Sequence, residues 1–358
     1  MALPFFERGS RKRRDQMIAV DLGSRTTKAV HLQRRGESLA LCRYAMLDAP
    51  IFEKTLSVDL LTEHLKTVSQ ALDARFKSVS LTVSVSDALV RHVEMPRLPV
   101  EDMRTVLKLN SRNYLQQDLA NYVFDCHVLA GRNGAKGPEA ARALAGGAKQ
   151  RVLVAGAKKQ LVDDYSEGAK AAGMSAECIV PGLISPVNAF ELAMPDVFSR
   201  ETVALVDVGF RCSSICIVQE GELMLCRVVG MGGDRMTSAL SEAMSISYAE
   251  AEGIKVGMAS EVQPALDSVL VPLGRELRAS IDFFEHQQDL PVGRVFIAGG
   301  SARSESILQS LQNELVIECR TWNPTSFMEI ALPPQQTAEL DQVAPQLGVA
   351  VGAALAAL

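Results

Sequence analysis

The feature of this sequence that most constrains its fold is a set of three apolar strands joined by two tight turns, which occurs twice. The first copy covers residues 17–47 and the second covers residues 202–229. The two copies start about 185 residues apart, which indicates an internal duplication. Each apolar run ends at glycine or polar turn residues, as the strands of a hairpin do. The pattern therefore predicts an α/β protein with two duplicated lobes.

Length and composition agree with a globular chain of this size. The 358 residues are 47% hydrophobic and 22% charged, which excludes a disordered or collagen-like protein. The net charge of −5 argues against a nucleic-acid-binding surface. The seven cysteines include no C-x-x-C pair, so we expect reduced thiols in a cytosolic protein. No apolar run reaches the roughly 18 residues of a membrane span.

Between the two copies, the sequence predicts an inserted subdomain. The predicted domains are a basic tail (1–15), a first lobe (16–88 and 179–200), an insert (89–178) and a second lobe (201–358) with a smaller part near 234–290. Periodicity and turn residues predict the remaining elements. They are a helix over 58–76, a strand over 78–85, a helix that ends near Tyr114, strands over 123–129 and 151–157 around a loop over 131–150, a helix over 159–172, helices over 234–244 and 248–255, a helix over 262–287 interrupted near Pro272, a strand over 294–298, and helices over 304–315 and 347–358.

Three glycine turns carry the chemistry, and each follows a predicted strand. The first runs over residues 21–28, the second over 207–214 and the third over 297–302. A glycine turn lets backbone N–H groups approach a phosphate closely. Hydroxyl side chains in these turns add hydrogen-bond donors. One such turn often only ends a hairpin, but two in duplicated halves and a third that enters a helix indicate a nucleotide site.

Acidic residues begin the first two turns. Asp21 and Asp207 each end a strand, so facing strands would bring two carboxylates toward one cation. Mg²⁺ prefers oxygen ligands and keeps several waters, which suits two carboxylates and phosphate oxygens. Lys28 would neutralise charge near the β- and γ-phosphates. We therefore predict Asp21 and Asp207 as metal ligands.

The order and spacing of these turns resemble the actin-like ATPase fold. Within it, the sequence resembles the bacterial FtsA and PilM group, most closely the PilM family, over about residues 16–358. The insert falls where that group carries its extra subdomain. Residues 93–96, 123–129, 229–237 and 248–255 resemble PilM segments. The resemblance implies two duplicated lobes with ATP and Mg²⁺ in the cleft between them.

Together, the turns and the resemblance give a set of candidate cofactor-binding residues. In the resemblance, the helix at 248–255 contributes Glu252 and Lys255 near the nucleotide sugar or base. The candidates are Asp21, Gly23, Ser24, Arg25, Thr26, Thr27, Lys28, Asp207, Gly209, Phe210, Ser213, Gly232, Gly233, Asp234, Glu252, Lys255, Gly299, Gly300, Ser301 and Arg303.

The resemblance also implies a partner and a place in the cell. PilM-like proteins are cytoplasmic components of type IV pilus machinery, and they dock the cytoplasmic N-terminal peptide of a PilN-like membrane protein. The implied groove lies around residues 100–119. We therefore expect a cytoplasmic protein that is peripheral to the inner membrane through PilN-like and other pilus machinery proteins, with nucleotide acting on lobe closure.

Hydrolysis is not predicted. Arg25 and the bulky Phe210 stand in turns where the resemblance has small residues. Ser185 and Asn188 lie near the connection where a water-orienting residue would be sought, but neither is assigned a catalytic role. We expect ATP binding with weak or absent ATPase activity.

Other functions of the same fold stay open. A small-metabolite kinase would need a catalytic aspartate between the first two turns, where Asp87, Asp102, Asp118 and Asp125 occur without a recognisable sugar-binding setting. The remaining alternatives are a filament protein like FtsA or MreB and a relative of the type II secretion platform.

The N-terminus is the most basic part of the chain, with Arg8 and the run over 11–14. It forms either a solvated tail or a contact between residues 1–14 and an anionic membrane surface.

Overall fold

The computed structural model describes residues 14–52, 55–74, 76–129 and 149–358. Residues 1–13 of the basic tail and most of the predicted loop over 131–150 therefore lie outside the described residues. Within them the chain forms fourteen strands and eleven α-helices. The strands are β1 (Gln16–Asp21), β2 (Thr26–Arg35), β3 (Ser38–Asp48), β4 (Ser78–Val83), β5 (Ala88–Pro96), β6 (Tyr122–Val128), β7 (Lys149–Lys158), β8 (Ser175–Pro181), β9 (Thr202–Val208), β10 (Ser213–Gln219), β11 (Glu222–Val229), β12 (Arg294–Ala298), β13 (Cys319–Thr321) and β14 (Glu329–Ile330).

The helices separate and cover these strands. They are α1 (Val58–Ala71), α2 (Val100–Leu115), α3 (Lys159–Ala171), α4 (Ser185–Ala193), α5 (Pro195–Arg200), α6 (Gly233–Met244), α7 (Tyr248–Gly257), α8 (Gln263–Gln288), α9 (Glu305–Leu315), α10 (Pro334–Val343) and α11 (Gly348–Leu355). Among the described residues, none of these helices is long and apolar enough to cross a bilayer.

The two large sheets share one topology. The first has the order β14-β3-β2-β1-β4-β8 and the second has the order β11-β10-β9-β12-β13. In each, three antiparallel strands are followed by a parallel strand beside the first. The first strand of each set is almost wholly buried, because apolar side chains occupy both of its faces. The duplicated α/β lobes predicted from the sequence are therefore confirmed.

The third sheet is antiparallel, with the order β5-β7-β6, and α2 covers one of its faces. Strands β6 and β7 agree with the sequence prediction, but β5 was not predicted, because Arg91, His92 and Glu94 interrupt its apolar run. Strand β8, which pairs in parallel with β4 of the first sheet, was not predicted either. Since α3 packs on α1, we propose that the insert ends near Lys158 rather than at residue 178.

The C-terminal segment returns to the first lobe, although the sequence assigned it to the second. Strand β14 pairs with β3, and α11 packs on α4 and β1. A methyl group on Gly352 would overlap the backbone of Ser185, so this glycine permits the close helix crossing. We propose that residues from 329 onward complete the first lobe.

Aromatic side chains fill the junction of the two lobes. Phe190 of α4 lies 4.9 Å from the ring of Phe296 and 5.2 Å from that of Trp322. Phe190 is fully buried, and it joins one apolar cluster with residues of both sheets. The lobes are therefore packed against each other beneath the cleft.

Helix α8 differs from its prediction. It continues through Pro272, which lacks the N–H of an ordinary helical residue. Leu270 and Leu273 on either side are fully buried, and their packing holds the helix together. Sequence analysis also missed the helices α4, α5 and α10, which begin at or next to proline residues.

Candidate functional site

A cavity of about 360 Å³ lies between the two lobes, and all three glycine turns line it. Fifteen of the predicted cofactor-binding residues meet there although they come from distant parts of the chain. They are Asp21, Gly23, Ser24, Arg25, Thr26, Lys28, Asp207, Gly209, Phe210, Gly233, Glu252, Lys255, Gly299, Gly300 and Ser301.

The first turn holds an ion pair at the floor of the cavity. Asp21 ends β1 and Lys28 stands opposite it on β2, so the Lys28 Nζ donates to Asp21 Oδ2 at 3.2 Å. The hydroxyl of Thr82 donates to Asp21 Oδ1, also at 3.2 Å. Gly23 is required because a side chain there would strike the carbonyl of Thr26. The hairpin register thus fixes one charged pair in a defined place.

Lys28 responds to the carboxylates of both lobes. Burial lowers its pKa, but the attraction of Asp21 and Asp207 outweighs burial, so the pKa is raised. Lys28 therefore stays charged at neutral pH. It supplies positive charge where an anionic ligand would need it.

The second lobe contributes Asp207 at the end of β9. Burial raises the pKa of this carboxyl to about 6, while Lys28 lowers it and the negative charge of Asp21 raises it further. The third turn lies beside it, because Ala298 of β12 pairs with Asp207. Gly299 has φ +95, and a methyl group there would strike the Asp207 carboxylate. An additional cation would relieve the cost of ionised Asp207.

The second turn is packed against the start of α6. The N–H of Gly233 donates to the carbonyl of Gly209 at 2.9 Å, and that of Asp234 donates to the carbonyl of Phe210 at 2.9 Å. A Cβ on Gly232 would lie 2.5 Å from the same two carbonyl oxygens. Gly232 therefore shapes the site through its backbone and does not line the cavity.

Arg25 crosses from the first lobe to the second. Its guanidinium lies 5.2 Å from the centre of the Phe210 ring and 3.9 Å from Glu252 Oε1. Both of these unusual turn residues thus meet at the cavity, where a guanidinium above an aromatic face is attractive.

A buried network joins α6 to α7 at the cavity wall, next to Arg25. The Nζ of Lys255 donates to Glu252 Oε2 at 2.7 Å, to Thr237 Oγ1 at 2.7 Å and to the carbonyl of Gly233 at 3.1 Å. Burial lowers the pKa of Lys255 despite this pairing. Burial raises the pKa of Glu252, but hydrogen bonds from Lys255 and Thr237 leave it lowered. The network fixes both charged side chains at the cavity wall.

Several predicted residues lie outside the cavity. Thr27 contacts Nε2 of His64 at 2.7 Å. Ser213 donates to the carbonyl of Met231 at 2.8 Å, and Asp234 accepts from the Tyr248 hydroxyl at 2.7 Å. These side chains tie the turns to neighbouring elements. The predicted role of Arg303 falls on a side chain outside the described part of the structure.

The other polar residues considered from the sequence also lie away from the cavity lining. Ser185 donates to the carbonyl of Pro181 at 2.9 Å and Asn188 donates to that of Gly352 at 3.3 Å. The aspartates considered for a kinase do not line the cavity either. They are Asp87, Asp102, Asp118 and Asp125.

Some residues of the site were not predicted from the sequence. Thr82 orients Asp21 from β4, and Thr237 stands at the centre of the Lys255 network. Ile307 and Gln346 line the cavity as well. A single hydroxyl on a strand or helix has no signal in the sequence, because its role depends on which distant residue the fold brings to it.

A metal ion at this site would need ligands that the protein itself does not supply. Within the described ranges, no three His, Cys, Asp or Glu side chains are grouped so that they could hold a metal ion. Asp21 and Asp207 are two carboxylates that both raise the pKa of Lys28. A cation at this point would therefore need oxygen atoms from a bound ligand or from water.

The family model described as type IV pilus assembly protein PilM matches residues 19–358. The chain belongs to the PilM family. The resemblance seen in the sequence is thereby confirmed.

Solved structures show the same fold. A PilM–PilN type IV pilus biogenesis complex contains a chain with TM-score 0.81 and 21% identity, and the match covers 97% of this chain and 99% of that one. The ethanolamine utilization protein EutJ from Carboxydothermus hydrogenoformans gives TM-score 0.57 and 13% identity over 96% and 90% of the two chains. MreB5 of Spiroplasma citri bound to AMPPNP gives 0.50 and 9% over 94% and 96%. This PilM-family chain therefore has an actin-like ATPase fold.

Proposed function

We propose that the chain is an ATP-binding component of a type IV pilus or pilus-like assembly machine. Membership of the PilM family supports a role in pilus assembly, and the residues that line the cavity support nucleotide binding. The observation that carries the proposal is the meeting of Asp21, Lys28 and Asp207, from both lobes, at glycine turns that line one cavity. A nucleotide there would touch both lobes at once, so its binding would favour their closed arrangement.

The charges along the cavity suggest how the nucleotide lies. Lys28 and the backbone N–H groups of the first two turns suit phosphates. Glu252 and Lys255, held at the cavity wall, suit the hydroxyl groups of a sugar. AMPPNP bound to the MreB5 relative supports a nucleotide in this fold.

The residues present also fit Mg²⁺. Asp207 has a pKa raised to about 6 because burial leaves its charge poorly compensated, and a divalent cation would supply that compensation. Asp21 and Asp207 would hold the cation together with phosphate oxygens and water. Bound Mg²⁺ would neutralise phosphate charge.

We assign ATP a conformational role rather than a substrate role. Ser185 and Asn188 use their polar atoms inside the protein and do not line the cavity. Water attack on the γ-phosphate needs a residue within hydrogen-bond reach of that water. We therefore propose slow or absent hydrolysis.

The proposed partner is the cytoplasmic N-terminal peptide of a PilN-like membrane protein. The structure that names PilM with PilN supports this choice. Helix α2 of the insert presents Leu109 with 76% of its surface exposed, and Val100 is also exposed. We propose that the peptide docks along this helix, which would bring a cytoplasmic protein to the inner membrane through its partner.

Nucleotide binding is tested by titrating the protein with a fluorescent ATP analogue in the presence of Mg²⁺. Asp21→Asn should weaken binding about tenfold or more, because each 1.4 kcal/mol of lost interaction is tenfold in affinity. Asp196→Asn is the matched control, since its side chain is 85% exposed on α5. Equal affinities in all three proteins would refute the proposed site.

Partner docking is tested with a labelled synthetic peptide that carries the N-terminal residues of the PilN-like protein of the same organism. Leu109→Asp should reduce the polarisation signal on binding. Val316→Asp is the control, because Val316 is 84% exposed and lies after α9 in the second lobe. Unchanged peptide affinity in Leu109→Asp would move the docking site away from this face of α2.

A further inference from the structure

The insert contacts the second lobe as well as the first lobe, from which it extends. Strand β5 lies against β11, the edge strand of the second sheet. Val90, Leu153 and Ala155 on one face of the insert sheet belong to the same apolar cluster as Leu205 and Leu223 of the second lobe. The opposite face carries Met95, Val152 and Val154 against α2. The insert sheet therefore stands between α2 and the second lobe.

Two polar side chains fix this contact at one point. His92 Nε2 lies 3.0 Å from the carbonyl oxygen of Leu223, and the Arg151 guanidinium donates to the carbonyl of Met224 at 3.2 Å. Neighbouring carbonyls of a regular strand point in opposite directions. Here the register of β11 against β10 shifts at Met224, as in a β-bulge, so both carbonyls accept from the insert.

The protonation state of His92 agrees with this contact. Burial lowers its pKa to about 4, although the hydrogen bond to Leu223 raises it and Arg151 lowers it. The imidazole is thus neutral at pH 7. Since a carbonyl only accepts, Nε2 carries the proton and donates it.

The bulge lies in the same sheet as Asp207, toward the opposite end of the strands. Strand β11 pairs with β10, which pairs with β9. Val218, beside the bulge, pairs with Val203 near the start of β9, and Asp207 stands one residue before the end of that strand. Because hydrogen bonds join the three strands along their length, we expect them to shift together. A shift of Asp207 toward a bound cation or phosphate would therefore shift the bulge.

We propose that His92 and Arg151 make the insert follow the second lobe, so that nucleotide in the cavity sets the position and order of α2. This relay rests on the proposed nucleotide binding. It gives nucleotide a route to the partner surface through a named contact rather than through distance alone.

Hydrogen exchange of the full chain, with and without Mg²⁺–AMPPNP, tests the relay. In the wild type, nucleotide should slow exchange at the three glycine turns and also in β5 and α2, by roughly fivefold or more in the insert. In the double variant His92→Ala with Arg151→Ala, the turns should stay protected while the effect on the insert disappears. Arg91→Ala is the control, because it removes an exposed basic residue from the same strand.

A conservative pair guards against misfolding. His92→Gln with Arg151→Lys keeps a donor at each position and should retain most of the protection in the insert. Protection of the turns without protection of the insert in the wild type would refute the relay alone. Equal protection of the insert in the double alanine variant would also refute it. An absence of protection at the turns in the wild type would refute the proposed nucleotide binding and the relay together.

Discussion

Replacing Asp207 with asparagine should stabilise the ligand-free protein and, at the same time, weaken its binding of magnesium–nucleotide about tenfold or more. Burial raises the pKa of this carboxyl to about 6 from the 3.8 of an ordinary aspartate. That difference corresponds to about 3 kcal/mol between the ionised and neutral forms. Asparagine has the shape of the neutral acid and never ionises, so it avoids this cost. A bound cation would offset the free-energy cost of ionising Asp207, and the ligand-free protein has no such compensation.

The sign of the pH dependence follows from proton binding. Because the folded protein binds the Asp207 proton more tightly than the unfolded chain does, this residue lowers the free energy of unfolding as pH rises from about 4 to about 6. Above that range its contribution is constant. Asp207→Asn should therefore match the wild type near pH 4 and exceed it by about 2 to 3 kcal/mol at pH 8.

Urea unfolding at pH 4.5 and pH 8 measures this difference, with Asp196→Asn as the surface control. Comparing two proteins at each pH cancels the histidines, which titrate alike in both. A variant that is less stable than the wild type at both pH values would refute the reasoning. Adding Mg²⁺–ATP should reverse the order at pH 8, since only the wild type would gain stability from the ligand.

Three further predictions concern the contacts that hold the site and the lobes. Between pH 7 and pH 5, the free energy of unfolding should fall by about 2 kcal/mol less in His92→Gln than in the wild type. The pKa of His92 is about 4 in the folded protein and 6.5 in the unfolded chain, so neutral His92 stabilises the fold above pH 6.5 and this stabilisation is lost as the pH falls. Urea unfolding at both pH values measures the difference, and equal losses in the two proteins would contradict it. Gly299→Ala should cost about 3 kcal/mol or more, because φ +95 is strained for alanine and its methyl group would strike the Asp207 carboxylate. Gly300→Ala is the control, since the nearest atom to its methyl group would be 3.7 Å away, and equal melting temperatures of the two variants would contradict the argument. Phe190→Ala should lower stability by about 3 to 5 kcal/mol, because the ring is fully buried between the lobes; calorimetric unfolding that shows a loss below about 1 kcal/mol would contradict this packing.

The two hairpin repeats could be predicted from the sequence because their signal is local. The second copy, predicted over 202–229, begins with β9 at Thr202 and ends with β11 at Val229, and β12 has the predicted bounds 294–298. Each of these strands is an apolar run bounded by a turn. The order of the strands in the first sheet was harder to predict from the sequence. Strand β8 joins it from beyond the insert, and a pairing across so many residues depends on tertiary packing rather than on local propensity.

The site was predictable in its glycine turns and less so in its hydrogen bonds. The sequence placed Lys28 near phosphates, and the structure adds that the hairpin register sets it opposite Asp21. Thr27 and Ser213 were predicted to contact phosphate because they are hydroxyl residues in the glycine turns. In the structure, their hydroxyl groups form hydrogen bonds within the protein. In a strand, neighbouring side chains point to opposite faces, so the register decides which hydroxyl reaches the cavity.

The central claim, that one magnesium–nucleotide binds between the two lobes, is tested most directly by calorimetric titration of the wild type with ATP. The titration is done with Mg²⁺ and again with EDTA, beside Asp207→Asn under the same conditions. We predict one bound ATP per chain with Mg²⁺, and affinity at least about tenfold weaker with EDTA or in the variant. Binding that is equal with and without Mg²⁺ and unchanged in Asp207→Asn would contradict the account.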